Sequence, residues 1–355
     1  MRQPVGTERF SLVEFLAHTG LNASAEIDVK VRRDVVDALA TVAWLRCLRT
    51  RSKGASPYAI GQVIEPEGYW KTDERVRFHR NKWSRYERGK HRPSASLVDI
   101  ADKAYPGSSK ELNSVLWRFL RRVPSSVKAL AELEEQLDPK VRLLINRWRP
   151  AIQSSKTGSI KRLASALELV GTADGLAAML LLCQSSKVQG QTSEAHEWSL
   201  YIYRCMLILG VFWTRRGVAK PLLELIEQRF LNHVSHLGAR YVFPSSLYSE
   251  AIGRLEEVLW HIEPGPEKIT DETCRSEYAQ RVLNGEYGWD LKFAFNPYET
   301  LTSADEASDA QTDTCLRKQR LFIWAWNILY SGKPHPGVPP KQVFDGSDLH
   351  ARWVD

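Results

Sequence analysis

Apolar residues recur at steps of three and four along nearly the whole chain, and this spacing limits the possible folds more than any other feature. Side chains at those steps share one face of an α-helix, so each such stretch predicts an amphipathic helix. Sustained alternation of apolar and polar residues, the pattern of a half-buried strand, is confined to short pieces such as RYVFP at 240–244. We therefore expect a mainly α-helical protein. The clearest helical stretches are 35–48, 112–120, 127–137, 160–170, 222–231 and 252–262.

Polar residues mark the expected starts of three further helices. Ser94 precedes ASLVDIADKAY, Ser109 precedes KELNSVLWRFL, and Thr270 precedes DETCRSEYAQRVL. A hydroxyl at such a position accepts a hydrogen bond from a free backbone N–H of the first helical turn. The acidic, Ser/Thr-rich segment 296–314 predicts a mobile loop instead.

Positive charge is concentrated in the first third of the chain. The 355 residues carry 49 Lys and Arg against 42 Asp and Glu, a net charge of +7. Residues 1–122 hold 23 of the bases and only 14 of the acids, and the window 71–92 holds nine bases and three acids. A basic module joined to a nearly neutral one is typical of proteins that bind polyanions. We place the domain boundary near RRVPSSVK, with a basic domain over 1–122 and a larger helical domain over 123–355.

Three other features bear on where the protein works. The five cysteines are scattered and include no CxxC pair, which favours reduced thiols in the cytoplasm over a disulfide framework or a zinc site. The amino terminus lacks the apolar core of a signal peptide. The most apolar runs, 175–183 and 206–213, are shorter than the roughly 20 residues that span a bilayer. We expect a cytoplasmic protein with no membrane partner.

The segment FHRNKWSRYER at 78–88 combines aromatic and basic residues in a helical arrangement. At 100° per residue, Trp83 and Tyr86 fall on one side of the helix, and the opposite side is polar and cationic. Gly89 follows, and glycine is the residue best suited to the left-handed backbone that ends a helix. Arg and Asn side chains read guanine and adenine edges in the DNA major groove. The basic turn GKHRPS comes next, where phosphate contacts would fix the docking.

These residues resemble the second half of a helix-turn-helix of the Cro and phage-repressor type. In that family the recognition helix ends in Glu-x-Gly, followed by a basic turn, a proline and an apolar helix. The resemblance covers residues 78–108 and implies that 55–66 forms the preceding helix and that Trp83 and Tyr86 are core residues. In this chain EPEGYWKTDERVR separates the two helices, where the family has a tight turn of a few residues. The nucleic-acid-binding residues that the resemblance implies are Arg80, Asn81, Ser84 and Arg85 toward bases and Lys90 and Arg92 toward phosphates. The helical spacing adds Arg88, which lies on the same face as Ser84 and Arg85.

Other candidate sites carry weaker signals. His233 and His236 lie three residues apart, but two histidines without a convincing third ligand are more often structural than metal-binding. The run GEYGWDLKF at 285–293 offers acids and a lysine loosely like those of a metal-dependent nuclease, without an upstream acid to complete the site. We expect no metal, no cofactor and no enzymatic activity.

The remaining two-thirds of the chain is interpreted from its packing pattern. The stretches 198–213 and 316–330 become apolar on every side. Such helices lie either at the centre of a multi-helix core or at a subunit interface. The sequence is therefore compatible with a homo-oligomer, or with a protein partner, bound through this domain.

Two functions remain open from the sequence. The one we favour is a DNA-binding protein, either a bacterial transcription regulator or a factor of a mobile element or defence system, which docks helix 78–88 on double-stranded DNA. RNA is a further possible partner. The alternative is a non-catalytic helical scaffold or adaptor that binds a protein or RNA through its basic amino-terminal face. Steeply salt-dependent binding to random duplex DNA distinguishes the two.

Overall fold

A computed structural model describes residues 11–19, 34–69, 71–72, 75–76, 80–154, 157–262, 272–302, 308–331 and 338–345. Over these residues the protein is mainly α-helical, which confirms the fold class expected from the apolar spacing. The strands found there form two short antiparallel pairs. No helix in this part of the chain combines the length and the apolar character needed to cross a membrane.

The elements are numbered in chain order. The helices are α1 (Leu12–Thr19), α2 (Val35–Arg51), α3 (Pro57–Ile64), α4 (Arg80–Glu87), α5 (Ala95–Ala104), α6 (Ser108–Leu112), α7 (Val115–Arg121), α8 (Val127–Glu134), α9 (Pro139–Gln153), α10 (Ser159–Val170), α11 (Ala173–Val188), α12 (Thr192–Ile208), α13 (Gly210–Arg215), α14 (Ala219–Arg229), α15 (Ser245–Ile262), α16 (Glu272–Asn284), α17 (Trp289–Phe295), α18 (Asp309–Ser331) and α19 (Lys341–Asp345). The strands are β1 (Lys71–Thr72), β2 (Arg75–Val76), β3 (Ala239–Val242) and β4 (Tyr298–Leu301). Short 3-10 turns lie at Pro66–Tyr69 and Leu231–His233.

The chain divides into two compact units. The first comprises residues 1–123 and 211–226, and the second comprises 124–210 and 227–355. The sequence prediction divides the chain once, after residue 122, and thus differs from the structure in its treatment of the segment 211–226.

Side-chain packing explains why 211–226 belongs to the first unit. The Trp213 indole meets Trp117 edge to face, with 6.1 Å between ring centroids. Arg216 Nε lies 3.6 Å from Glu111 Oε1, and both side chains are largely buried. Both contacts join residues about a hundred positions apart in the chain. Local sequence patterns do not reveal such contacts.

Helix α2 is the centre of the first unit. It is buried on nearly every side between Val36 and Leu48. Asp34 begins the helix, because its carboxylate accepts a hydrogen bond of 2.9 Å from the backbone N–H of Val36. Helices α3, α4, α6 and α7 pack around it. Burial of apolar surface stabilises a fold by about 25 cal/mol per Å². Because α2 is buried along most of its length, it is a stable helix for α4 to pack against.

Helices α10, α11 and α12 pack together at the centre of the second unit. The apolar stretch predicted at 198–213 is divided, since α12 ends at Ile208. Within α12, Arg204 donates two hydrogen bonds to the fully buried Glu168 carboxylate, at 2.8 and 3.1 Å. Gln280 Nε2 donates to the same carboxylate at 2.8 Å. The buried charge is thus paired and hydrogen-bonded, as a charge away from water requires.

The prediction of a loop over 296–314 is wrong for the described residues of this segment, because residues 298–301 form strand β4, which pairs with β3. Ala239 pairs with Leu301 and Val242 pairs with Tyr298, in antiparallel register. Residues 309–314 also form the start of α18. The strand partner lies about sixty residues away, and acidic composition alone does not show that such a partner exists.

The three predicted caps have different outcomes. Ser94 caps α5 as expected, since its Oγ accepts a hydrogen bond of 3.3 Å from the Leu97 N–H. Ser109 does not begin one long helix: the chain forms α6, then a break, then α7 with Ser114 as its cap. The Ser109 N–H instead donates to Asp102 Oδ1 at 2.7 Å. Thr270 lies outside the described residues.

Candidate nucleic-acid interface

The buried side of α4 is aromatic. Trp83 and Tyr86 are 1% and 5% exposed, which confirms their predicted place in the core. Trp83 stacks on Trp44 of α2 with 6.1 Å between centroids and 23° between planes. Tyr86 meets both indoles edge to face. Such pairs contribute about 0.5–1.5 kcal/mol each beyond their buried area, so one rotational setting of α4 is strongly favoured.

Polar contacts at both ends strengthen this setting. Glu65, at the carboxyl end of α3, accepts hydrogen bonds from Lys82 Nζ at 2.6 Å and from the Trp83 indole N–H at 3.2 Å. Glu87, in the last turn of α4, pairs with Arg49 of α2 at 2.9 Å. Burial and the Glu65 carboxylate raise the pKa of Tyr86 above its usual value, so this phenol remains neutral.

Gly89 ends α4 in the way the sequence predicts. Its φ is +62°, and the N–H groups of Gly89 and Lys90 donate to the carbonyls of Tyr86 and Arg85 at 2.9 and 2.7 Å. This is the Schellman pattern of helix termination. A Cβ on Gly89 would lie 3.0 Å from the Ala38 carbonyl oxygen. Glycine is therefore required both by the backbone angle and by close contact with α2.

The residues predicted to contact nucleic acid lie in different environments. Arg85, Arg88 and Lys90 are exposed, and Ser84 is half-buried. Arg85 Nη1 lies 3.4 Å from His91 Nε2 across the basic turn. Three cations thus project from the last turn of α4 and the residues that follow it, on the side away from the aromatic cluster.

Two further predicted residues begin α4. Arg80 and Asn81 form its first turn, but their side chains lie outside the described part of the chain. The segment between α3 and α4 holds the 3-10 turn Pro66–Tyr69 and the paired strands β1 and β2. Where the repressor family has a tight turn, this chain thus has a small antiparallel ribbon.

Arg92 is engaged within the protein. Its Nη1 donates to Asp37 Oδ1 at 3.0 Å, and Arg121 pairs with the same carboxylate oxygen. The Arg92 side chain is still 42% exposed. A phosphate contact by Arg92 would therefore compete with Asp37. Sequence reasoning did not identify Asp37, since it lies 55 positions from Arg92 with no local pattern connecting them.

The weaker candidate sites do not assemble in the structure. His236 Nδ1 lies 3.0 Å from Thr192 Oγ1. In the 285–293 run, Glu286 pairs with Arg281 at 2.7 Å, and Asp290 is buried. Among the residues that the structure describes, no three His, Cys, Asp or Glu side chains gather as a metal site would require.

Comparison with known proteins adds nothing to this geometry. No protein-family model matches the sequence, and no curated protein or solved structure matches it. The resemblance to a helix-turn-helix therefore depends on residues 78–108 and stays a prediction.

Proposed function

We propose that the first unit binds double-stranded DNA, with α4 docked in the major groove. The observation that carries this proposal is the two-sided character of α4. Trp83 and Tyr86 hold one side against α2, and Arg85, Arg88 and Lys90 project from the other. Arginine in this setting reads guanine edges bidentately, and lysine beside the helix end contacts phosphate.

The distribution of charge supports the same function. An excess of positive charge in 1–122 attracts the phosphate backbone and supplies non-specific affinity. Base contacts by α4 add sequence preference to this affinity. We further propose that the protein acts in the cytoplasm of a bacterium, as a transcription regulator or as a factor of a mobile element or defence system. The second unit would then serve in self-association or in binding a protein partner.

The test is selection of a preferred duplex by the full-length protein, followed by binding measurements on variants. Arg85→Ala should weaken binding to the preferred duplex by about 5- to 150-fold, equivalent to about 1–3 kcal/mol. Lys90→Ala should weaken all duplexes alike and reduce the slope of log affinity against log salt by about 0.9. Lys128→Ala, at an exposed lysine on α8 of the second unit, is the matched control and should change neither quantity.

Two results would contradict the proposal. One is an affinity of the parent protein for duplex that is insensitive to salt. The other is an Arg85→Ala variant that keeps its fold, its affinity and its sequence preference. Binding of a protein or RNA partner through the basic face, with no duplex binding, would favour the adaptor function instead.

A further inference from the structure

A second basic and aromatic surface lies in the second unit. Helices α9 and α10 border an open groove with a volume of about 590 Å³. Its lining includes Trp148 from α9, Gly158 just before α10, and Lys161, Arg162 and Ser165 from α10. The proposed duplex-binding function does not use any of these residues.

Cations surround the Trp148 ring. The guanidinium carbons of Arg147 and Arg162 lie 6.0 and 5.9 Å from its centroid. Lys161 and Arg162 are exposed and form no ion pair with the described residues. Planar guanidinium groups near an indole form a surface on which a nucleobase can stack.

The basic character extends beyond the groove to α17. Lys292 lies close enough to Lys161 for their charges to repel, and burial together with Lys161 and Arg204 lowers the pKa of Lys292. Lys292 Nζ is 4.8 Å from the Trp289 ring centroid. Trp289 is 47% exposed, which is unusual for so large an apolar side chain. A second aromatic ring with a cation beside it is thus linked to the groove through Lys292 and Lys161.

Among the residues that the structure describes, no acidic side chain lines the groove. Glu197 is close enough to Lys161 for their charges to interact. Burial and the neighbouring Glu194 raise the pKa of Glu197, with Lys161 opposing the rise. Lys161 and Arg162 also lie in the first turn of α10, at the positive end of the helix dipole. The lining of the groove therefore gathers positive charge, and Glu197 offsets part of the charge of Lys161.

We propose that this surface binds single-stranded nucleic acid. Bases stack on Trp148 and Trp289, and Lys161, Arg162 and Lys292 contact the phosphates between them. A duplex cannot use the aromatic rings, because its bases are already stacked in pairs. Trp289 already stacks on Phe293 with 5.7 Å between ring centroids, and 47% of its surface stays exposed. An acidic protein segment would satisfy the cations but would leave that exposed aromatic surface and the Trp148 ring unused. Rings interleaved with unpaired cations therefore favour an unpaired strand.

The experiment measures binding of fluorescein-labelled dT20 and U20 to full-length protein at low salt, with excess unlabelled duplex present. The duplex occupies the first unit if the proposed function is correct. Lys161→Glu combined with Arg162→Glu should weaken oligonucleotide binding at least tenfold. The matched control reverses two exposed lysines outside the groove, Lys128→Glu with Lys140→Glu, and should stay within twofold of the parent.

A second pair of variants tests stacking separately from charge. Trp148→Leu should weaken dT20 binding at least fivefold, and Trp148→Phe should retain most of it, because phenylalanine still offers an aromatic face. Far-UV circular dichroism and thermal unfolding show whether each variant folds. If the double reversal does not fold, Lys161→Gln with Arg162→Gln replaces it, with at least a fivefold loss expected.

Several outcomes would overturn the inference. One is failure of the parent to bind either oligonucleotide, and another is binding of both by the groove variants as tightly as by the parent. A third is loss of oligonucleotide binding in the α4 variant Arg85→Ala with Lys90→Ala and not in the groove variants, which would place the strand on the first unit. Failure of the proposed duplex function is distinguishable, because dT20 binding would then persist without any binding of the duplex.

Discussion

Asp37 and Arg92 form a 3.0 Å ion pair between the first turn of α2 and the turn that follows α4. Arg121 shares the same carboxylate, so two guanidinium groups converge on one acid. Arg92 is one of the residues predicted to contact phosphate. The pair therefore links the fold of the first unit to its proposed binding surface.

Replacing Asp37 with asparagine should release Arg92 and, if α4 docks on DNA as proposed, raise affinity for duplex. Exposed ion pairs contribute about 0.2–1 kcal/mol, so the expected gain is roughly 1.4-fold to fivefold. Fluorescence anisotropy on the parent, Asp37→Asn, Arg92→Ala and the double variant would give the coupling energy. Arg92→Ala should cost more affinity in the Asp37→Asn background than in the parent. Equal costs in both backgrounds would mean that Arg92 does not contact phosphate.

Trp83→Ala should destabilise the first unit by about 3–5 kcal/mol, because it empties a fully buried aromatic position. The stacking on Trp44 and the hydrogen bond to Glu65 are lost as well. Urea unfolding followed by circular dichroism measures the effect. Val63→Ala, at a position 58% exposed on α3, is the control and should change the unfolding free energy by no more than about 0.5 kcal/mol. Comparable losses in the two variants would argue against the aromatic cluster as the support of α4.

Gly89→Ala should destabilise the first unit more than Gly54→Ala does. Both glycines have a positive φ, at +62° and +89°, so both substitutions incur about 1–2 kcal/mol of backbone strain. Only at Gly89 would the new methyl group meet α2, at 3.0 Å from the Ala38 oxygen, since nothing lies within 4 Å of a Cβ at Gly54. The extra loss, about 1–3 kcal/mol, reports the overpacking. Equal thermal shifts would show that α4 moves away from α2 at little cost.

The second unit should lose stability in acid because of Glu299. Burial alone would raise the pKa of this carboxyl, but its hydrogen bonds with His196 and Lys318 and the charge of Lys318 lower it to about 2. Ionised Glu299 therefore stabilises the fold above pH 4.5, its unfolded value, and this contribution disappears as the pH falls from 4.5 to 2. The shift corresponds to about 3–4 kcal/mol, and solvent screening of this partly buried carboxyl reduces the expected loss to about 2–3 kcal/mol. Urea unfolding at several pH values measures it.

Two variants test the assignment of this pH dependence. Glu299→Gln should lower stability at pH 7 and flatten the profile between pH 4.5 and 2. Glu132→Gln, at an exposed site on α8, should leave the profile unchanged. An unaltered acid profile in Glu299→Gln would assign the dependence to other carboxyls.

Local features of the chain could be predicted from its sequence. Ser94, Gly89 and the spacing of Trp83 and Tyr86 act within a few residues, so capping, termination and the buried face of α4 follow from short patterns. The break between α6 and α7 could not be predicted in this way. There Asn113 ends α6, and the Ser114 hydroxyl starts α7 by accepting a hydrogen bond from the Leu116 N–H at 3.2 Å.

Contacts between residues far apart in the chain could not be predicted for the candidate site. Asp37, Arg49 and Glu65 all hold α4 or its following turn in place, yet each lies well before α4 in the chain. A charged residue on one helix gives no local sign of its partner on another. The sequence indicated which face of α4 is cationic, and the structure shows that Arg92 already has a partner.

The return of residues 211–226 to the first unit has a consequence for biosynthesis. Trp117 and Glu111 emerge from the ribosome about a hundred residues before Trp213 and Arg216, their partners in the folded unit. At translation rates of roughly 5–20 residues per second, the amino-terminal unit waits on the order of 5–20 s for its last segment. During that interval the Trp117 indole lacks its cover and is open to premature association. A nascent chain long enough to expose Trp117 outside the ribosome, but stopped before Trp213, should therefore recruit chaperones that one stopped well beyond residue 226 does not.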